Sequence, residues 1–186
     1  MSTVRVGSAP DSWGVWFADD PKQVPPQRFL DEVTAAGYRW IELGPYGYLP
    51  TDPQHLRAEL ESRELRLSGG TVFEHLHRPD SWDAVWEQVR NVAALTAAVG
   101  GKHVVVIPEM WRDPATGAVL ERRALSADDW TAKTTGVDRL GRAMFEEFGV
   151  ALQYHPHADS HVADQDEVYR FLDSTDPEFV NLCLDT

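Results

Sequence analysis

Short apolar runs alternate along the chain with longer segments of helical periodicity. Six of these runs have the length and the β-branched or apolar content of strands. They are VRVGSA (4–9), RWIELG (39–44), LRLSGG (65–70), HVVVIP (103–108), VALQYH (150–155) and FVNLCLD (179–185). Alternation of strand and helix patterns is typical of repeated βα units around a parallel sheet. The pattern therefore predicts an α/β fold.

The segments between these runs have the features of helices. Phe29, Leu30 and Val33 repeat at helical spacing before Gly37, a residue type that commonly follows a helix. Three pairs of polar residues stand at capping-box spacing: Asp80 with Asp83, Ser126 with Asp129, and Asp164 with Glu167. Because no low-complexity linker interrupts this order, we expect residues 1–186 to form a single domain of βα units.

Composition and charge narrow the range of partners. The chain has 186 residues, 42% of them hydrophobic, and a formal net charge of -13. A strongly acidic chain without a Lys/Arg cluster repels polyanions, which argues against nucleic acid as a partner. No apolar run approaches the roughly 20 residues of a membrane span, and the start of the chain lacks the pattern of a signal peptide. We therefore expect a cytoplasmic protein with no membrane partner.

Chemically reactive side chains gather at the predicted carboxyl ends of the strands, where parallel α/β folds bind their ligands. In chain order they are Asp11, Ser12, Trp13, Glu42, Tyr46, Glu74, His75, His77, Glu109, Trp111, Arg112, His155, His157 and Asp185. The opposite ends carry mostly solvated charges, such as Arg39 and Lys102. Carboxylates, imidazoles and aromatic rings on one face suit a small polyhydroxylated or carbonyl compound.

The stretch LQYHPHADSHV (152–162) places three of the seven histidines within seven residues. Gln153 and His155 share a predicted strand face, and Asp185 ends a neighbouring strand one βα unit later. Imidazole with a carboxylate oxygen suits a divalent metal such as Mn, Co or Zn, with positions left open for substrate. The alternative is that His155 caps a strand and the other two histidines lie in a solvated loop. Spacing alone leaves both interpretations open.

Several segments along the whole chain resemble a known superfamily. They are SAPDSWGVWF at the first strand, GYRWIELGPYGYLPTDP through the second, GGTVF at the third, YHPH at the fifth and TDPEFVNLCLDT at the sixth. The chain resembles the sugar isomerase/epimerase superfamily, the xylose isomerase-like TIM barrels, and within it the inosose (2-keto-myo-inositol) dehydratases. The resemblance implies a (β/α)8 barrel with a divalent metal at its C-terminal mouth and removal of a proton next to a carbonyl.

The resemblance also implies a reaction and residue roles. The metal would polarise a ketone while a base takes the adjacent proton, and loss of the β-hydroxyl would complete the dehydration of inosose through an enediolate. Asp185, in the LDT motif, is an implied metal ligand, and we assign His155 as a second because Gln153 stands where many members have a glutamate. The remaining assignments are Glu109 and His157 as base and acid, and Trp13, Glu42, His77, Trp111 and Arg112 as contacts of a sugar or cyclitol substrate.

Alternatives to these assignments stay open. A metal-dependent isomerase or epimerase of a keto-sugar or cyclitol would use the same chemistry without losing the hydroxyl. An inactive barrel would bind a sugar or nothing. Glu109 could serve only as a hydrogen-bonding carboxylate, and His77 could be an ordinary loop histidine. The segment MWRDPATGAVLERRAL (110–125), long for a βα connection, either covers the site or is an exposed insertion.

The chain ends where the family pattern would continue. After the LDT motif, the pattern adds a histidine, two further strands and a metal-binding glutamate, roughly 100 residues in a fold of about 250. Six strands of eight would leave strand edges bare. The sequence is therefore expected to be a fragment of a longer protein. Completion of the sheet by a second copy, as a homo-oligomer, and edges that stay open are the alternatives.

We predict that this chain on its own forms dimers or aggregates, because bare strand edges offer unpaired backbone groups to other chains. Sedimentation velocity should then show species larger than the monomer. A single monomeric species with a cooperative thermal transition would contradict this expectation.

Overall fold

The computed structural model describes residues 4–184, and six strands form one sheet. The strands are β1 (Gly7–Ser8), β2 (Trp40–Glu42), β3 (Arg66–Glu74), β4 (His103–Pro108), β5 (Ala151–Tyr154) and β6 (Val180–Leu182). They lie in the sheet in chain order, and the β1–β2, β2–β3 and β5–β6 pairs are parallel. Each predicted run overlaps one strand, so the α/β prediction is confirmed.

Five helices connect the strands. They are α1 (Pro26–Ala35), α2 (Pro53–Glu61), α3 (Trp82–Ala98), α4 (Ala127–Phe148) and α5 (Gln165–Asp173). A short 3-10 helix, Pro10–Trp13, follows β1. None of the helices within residues 4–184 is long and apolar enough to cross a membrane.

Two of the three predicted caps stand at helix starts. The Ser126 hydroxyl accepts a hydrogen bond from the amide of Asp129 before α4, and Asp164 forms a complete capping box before α5. Helix α3 differs, because it begins directly after Ser81. Asp80 lies one residue further out with a φ of 57°, which is not the extended conformation of an N-cap residue.

The chain divides into two compact units. One comprises the residues up to 71 together with 91–104, and the other comprises 72–90 together with those from 105 onward. In the first unit, α1 buries Phe29, Leu30 and Val33, so the helical periodicity seen in the sequence is its core-facing side. The expectation of a single domain stays a prediction.

Helix α4 forms much of the core of the second unit. Its buried residues are Trp130, Lys133, Thr134, Val137, Leu140, Gly141 and Met144. Gly141 permits a close approach to the chain just before β6, since a Cβ at this position would lie 2.5 Å from the carbonyl oxygen of Phe179. The buried side of α4 is apolar except for Thr134 and the charged Lys133.

A buried ion pair at the end of β3 compensates the charge of Lys133. The Lys133 ammonium donates to Oε1 of Glu74, and both side chains are at most 1% exposed. The same oxygen accepts from the Tyr154 hydroxyl at 3.0 Å, and Oε2 accepts from the amide of Leu76 at 2.8 Å. Burial alone would raise the pKa of Glu74, but the Lys133 charge and these hydrogen bonds hold it below its ordinary value. The pair therefore ties β3, α4 and β5 of this unit together.

We predict that Lys133→Met lowers the free energy of unfolding by about 3–5 kcal/mol, because it leaves the Glu74 carboxylate buried without its counter-charge. Urea denaturation at pH 7 measures the difference. The double variant Glu74→Gln with Lys133→Met removes both charges and should be less destabilised than the single variant.

The pH dependence gives an independent check of the same pair. In the native protein the lowered pKa of Glu74 contributes stability above its unfolded pKa of about 4.3, and this contribution is lost as the pH falls. In Lys133→Met, burial raises the pKa of Glu74, so protonation relieves the penalty. The stability gap between the two proteins should therefore narrow from pH 7 to pH 4.5, and a constant gap would contradict the assignment.

Candidate functional site

Glu109 lies in a group of charged side chains at the ends of β3 and β4. Arg78 donates from Nη1 to Oε2 of Glu109 at 2.7 Å. Nδ1 of His75 lies 3.1 Å from Oε1, within ion-pair range, although the ring is not oriented for a hydrogen bond. The backbone is fixed as well, since the amide of Glu109 donates to the carbonyl oxygen of Glu74 at 2.8 Å. The carboxylate is thus held in position while its side chain stays about one-third exposed, at 36%.

Two half-buried histidines follow β5. The amide of His155 donates to the carbonyl oxygen of Val106 at 2.9 Å, which continues the β4–β5 pairing past the end of β5. The His155 and His157 ring centroids are 5.7 Å apart. Nδ1 of His157 lies 2.8 Å from the carbonyl oxygen of Ala158. Because a carbonyl only accepts, Nδ1 carries the proton, and Nε2 is the basic nitrogen of the neutral ring.

The segment from Met110 to Leu125 is folded at its start and exposed at its tip. Its Trp111 side chain is buried, and the Trp111 amide donates to the carbonyl oxygen of Asp159 at 2.8 Å. Arg112 pairs with Val119 across an antiparallel bridge, and its guanidinium lies 4.5 Å from the centre of the Trp111 ring. Residues 114–120 are exposed. The base of this segment is therefore a packed part of the second unit, whereas its tip is exposed.

A third group of polar side chains joins three loops of the second unit. Nε2 of His77 lies 3.1 Å from Oε2 of Glu121, and Nε2 of His161 lies 3.3 Å from Oε1. Both histidines are buried, at 5% and 2% exposure. Arg78 donates to Oε1 of Glu121 at 3.0 Å and so bridges this carboxylate and Glu109. We call His77, Glu121 and His161 the loop cluster.

The surroundings of the loop cluster shift the pKa values of Glu121 and His77. Burial raises the pKa of Glu121, but hydrogen bonds from Arg78, His77 and His161 outweigh it and bring the pKa to about 2. Burial lowers the pKa of His77 despite the neighbouring carboxylate. The cluster therefore combines an ionised carboxylate with imidazole nitrogens, the donor types of a borderline divalent metal.

The sequence pointed to only part of the loop cluster. His77 was expected to contact substrate, but its ring is nearly enclosed beside Glu121 and His161. His161 is buried, so the alternative of a solvated loop does not describe it. Glu121 lies in the 110–125 segment, for which an exposed insertion was one of the two interpretations. The crowding of histidines was the available signal, and the partner from a distant loop could not be inferred from it.

Two of the predicted substrate contacts lie in the first unit. The indole nitrogen of Trp13 donates to Glu32 at 2.9 Å, and its ring meets that of Phe29 edge to face. Glu42 accepts a 3.3 Å hydrogen bond from the Thr71 hydroxyl, and burial raises the pKa of its carboxyl group. Trp13 therefore packs on α1, while the Glu42 carboxyl accepts a long hydrogen bond from a neighbouring strand.

Of the two predicted metal ligands, only His155 can be described, because Asp185 lies outside the described residues. Tyr154 of β5 pairs in register with Leu182 of β6, so the strand followed by His155 neighbours the strand followed by residue 185. An imidazole and a carboxylate are donor types that a borderline divalent ion accepts. The donor chemistry thus suits a metal, and the ligand assignment itself stays a prediction.

Comparison with known proteins identifies the family. The model of the xylose isomerase-like TIM barrel matches residues 30–186. The chain belongs to this family. The fold agrees: a solved structure of L-ribulose 3-epimerase superposes with a TM-score of 0.70 at 18% identity, covering 97% of this chain and 60% of that one. At that identity the likeness shows the fold alone.

Curated relatives are similar along nearly the whole chain. Inosose dehydratase of Bacillus velezensis (strain DSM 23117 / BGSC 10A6 / LMG 26770 / FZB42) is 28% identical over 184 residues, which cover 94% of this chain and 60% of the relative. Inosose dehydratase of Lacticaseibacillus casei is 29% identical over 196 residues, which cover 99% and 62%. The chain thus spans about three fifths of the length of these relatives.

The contacts of Arg78 predict a change in the 110–125 segment. Arg78→Met removes the guanidinium shared by Glu109 and Glu121, so we expect the segment to open more often and trypsin to cleave after Arg122 or Arg123 several-fold faster. Mass spectrometry of a limited digest identifies the cuts. Arg90→Met, on the exposed side of α3, is the matched control. Equal cleavage rates in the two variants would argue against a role for Arg78 in anchoring the segment.

Proposed function

We propose that the protein takes part in a divalent-metal-dependent dehydration of 2-keto-myo-inositol, as expected for inositol or cyclitol catabolism. The observation that carries this proposal is the similarity to inosose dehydratases over 94–99% of the chain. Membership of the xylose isomerase-like family supports it, and so does the collection of carboxylate and imidazole groups at the strand ends. Because the chain spans about three fifths of those relatives, their activity is extended to it only as a proposal.

Glu109 and His157 are the proposed proton-transfer groups. The Glu109 carboxylate is exposed enough to contact a ligand, and Arg78 fixes its orientation. Both features suit a base that removes the proton next to the ketone. His157 offers Nε2 because its Nδ1 faces a carbonyl oxygen. In its protonated form this nitrogen would give its proton to the leaving β-hydroxyl, which departs as water. The electron pair of the broken C–H bond then forms the new double bond.

His155 and Asp185 are the proposed metal ligands. A divalent ion such as Mn, Co or Zn, when bound there, would supply a positive charge that polarises the ketone. Trp111 and Arg112 stand at the base of a segment whose tip is exposed, which suits a wall or cover of a sugar site. Glu42 could accept from a substrate hydroxyl, and Trp13 and His77 have protein contacts that leave them less surface for a ligand.

The second candidate is an isomerase or epimerase of a keto-sugar or cyclitol. A sugar epimerase among the structures of the same fold favours it, although that likeness concerns the fold. The two reactions share proton removal next to a carbonyl and differ in whether the β-hydroxyl leaves. Product analysis therefore separates them.

Proton NMR of 2-keto-myo-inositol in deuterated water, with the metal-loaded protein, tests the proposal. Loss of substrate signals with formation of a dehydrated dione would support dehydration. Deuterium uptake next to the carbonyl without loss of water would favour the isomerase or epimerase. No change in a folded, metal-bound protein of full natural length would overturn both.

We predict that Glu109→Gln lowers turnover by about 10²-fold or more, because the amide cannot accept the proton. Initial rates in the same NMR assay measure the effect. Glu146→Gln, on an exposed position of α4, is the matched control and should keep the parent rate. If Glu109→Gln also keeps that rate, Glu109 only binds or orients neighbouring groups.

A further inference from the structure

The loop cluster has the spacing of a metal site. The ligand atoms of His77, Glu121 and His161 all lie within 4.8 Å of one another. Both imidazole nitrogens lie close to the same carboxylate oxygen, since Oε1 of Glu121 is 3.2 Å from Nε2 of His77 and 3.3 Å from Nε2 of His161. Metal–ligand bonds of about 2.0–2.1 Å in a tetrahedron place neighbouring donors about 3.3–3.4 Å apart. Two edges of such a tetrahedron are therefore nearly formed, and the third, between the two imidazole nitrogens, is at most 4.8 Å long.

The hydrogen bonding of His161 argues for a cation between the donors. Nδ1 of His161 lies 2.8 Å from the carbonyl oxygen of Arg123, so Nδ1 carries a proton. The other ring nitrogen, Nε2, lies 3.3 Å from Oε1 of Glu121, and without a proton of its own it would be one acceptor facing another. Two acceptors at this distance repel each other unless a proton or a metal ion lies between them. A backbone carbonyl on the outer nitrogen is also the usual partner of a metal-binding histidine.

His77 adds an imidazole with one nitrogen that lacks a hydrogen-bond partner. Its Nε2 faces the same carboxylate, and its Nδ1 is buried without a hydrogen-bond partner among the described protein atoms. A fixed positive charge is already present, since Arg78 donates to Oε1 of Glu121 at 3.0 Å. Both Nε2 atoms lie close to Oε1 of Glu121, so this oxygen and the two imidazole nitrogens are the converging donors.

We propose that His77, Glu121 and His161 bind a divalent cation of the zinc class. Two imidazole nitrogens and one carboxylate oxygen are a donor set that Zn²⁺ accepts, with a water molecule in the fourth position. The site is separate from the ligands His155 and Asp185 and does not depend on the proposed dehydration. Its three ligands come from the loop after β3, the 110–125 segment and the loop after β5. A bound ion would therefore hold the 110–125 segment against the loops that follow β3 and β5.

Zinc titration of the full chain followed by calorimetry tests the proposal, with three variants. We expect Glu121→Gln to lose a binding event, with affinity about 100-fold or more weaker, because a neutral amide replaces the anionic ligand. His155→Gln should keep this event, which separates the loop cluster from the proposed catalytic metal. Glu146→Gln is the matched control. Undiminished zinc binding in folded Glu121→Gln would overturn the proposal.

A measurement on the unmodified chain covers the case in which Glu121→Gln does not fold. Histidine ring ¹⁵N spectra recorded with and without Zn²⁺ should show shifts of Nε2 in both His77 and His161. His55, whose side chain is 59% exposed, provides an internal reference. Unchanged Nε2 signals of His77 and His161 at saturating zinc would mean that the cluster is held by hydrogen bonds alone and would overturn the proposal. Slower tryptic cleavage after Arg122 or Arg123 in the presence of zinc would support the fastening of the segment.

Discussion

The buried pair of Glu74 and Lys133 is the interaction on which the candidate site depends. Two opposite charges removed from water are tolerable only when each is compensated, and here an amide and a phenol complete the coordination of the carboxylate. The pair fixes the last residue of β3 against α4 and β5. His75, His77 and Arg78 follow that residue directly, so their positions are set by a contact in which none of them takes part.

Arg78 connects the two groups of reactive side chains in the second unit. Its guanidinium donates to Glu109 in the candidate active site and to Glu121 in the loop cluster. A planar guanidinium can serve two carboxylates at once, which an ammonium group does less well. A change in the charge or position of either carboxylate is therefore felt by the other through one shared cation. Substrate binding at Glu109 and metal binding at Glu121 would influence each other by this route.

The sequence predicted the strands and two helix starts because local patterns specify them. β-branched runs and capping residues act over a few positions, and six strands and two caps were found where they were expected. Strand β3 extends to Glu74, beyond the predicted run, because Gly69 and Gly70 interrupt the apolar signal at its centre. Asp80 had the right spacing for a cap but takes a left-handed conformation, which spacing does not reveal.

The side-chain networks were less accessible because they depend on residues distant in the chain. Lysine is ordinarily exposed, so nothing in the sequence singled out Lys133 as the partner of a carboxylate 59 residues away. Glutamate is ordinarily exposed as well, so Glu121 could not be distinguished from the residues of a solvated loop. The strand-end residues were predictable as a class, since parallel sheets collect their ligands at one end. Which of them face one another was not.

The loop cluster also constrains how this protein can diverge. Its members come from three separate connections between strands and helices, and loops are usually the parts of a fold that tolerate insertions and deletions most readily. Here a change of length in one connection would displace a histidine or the glutamate and leave the other two without their partner. The three loops are therefore expected to be inherited together, as one evolutionary unit assembled from distant stretches of the gene.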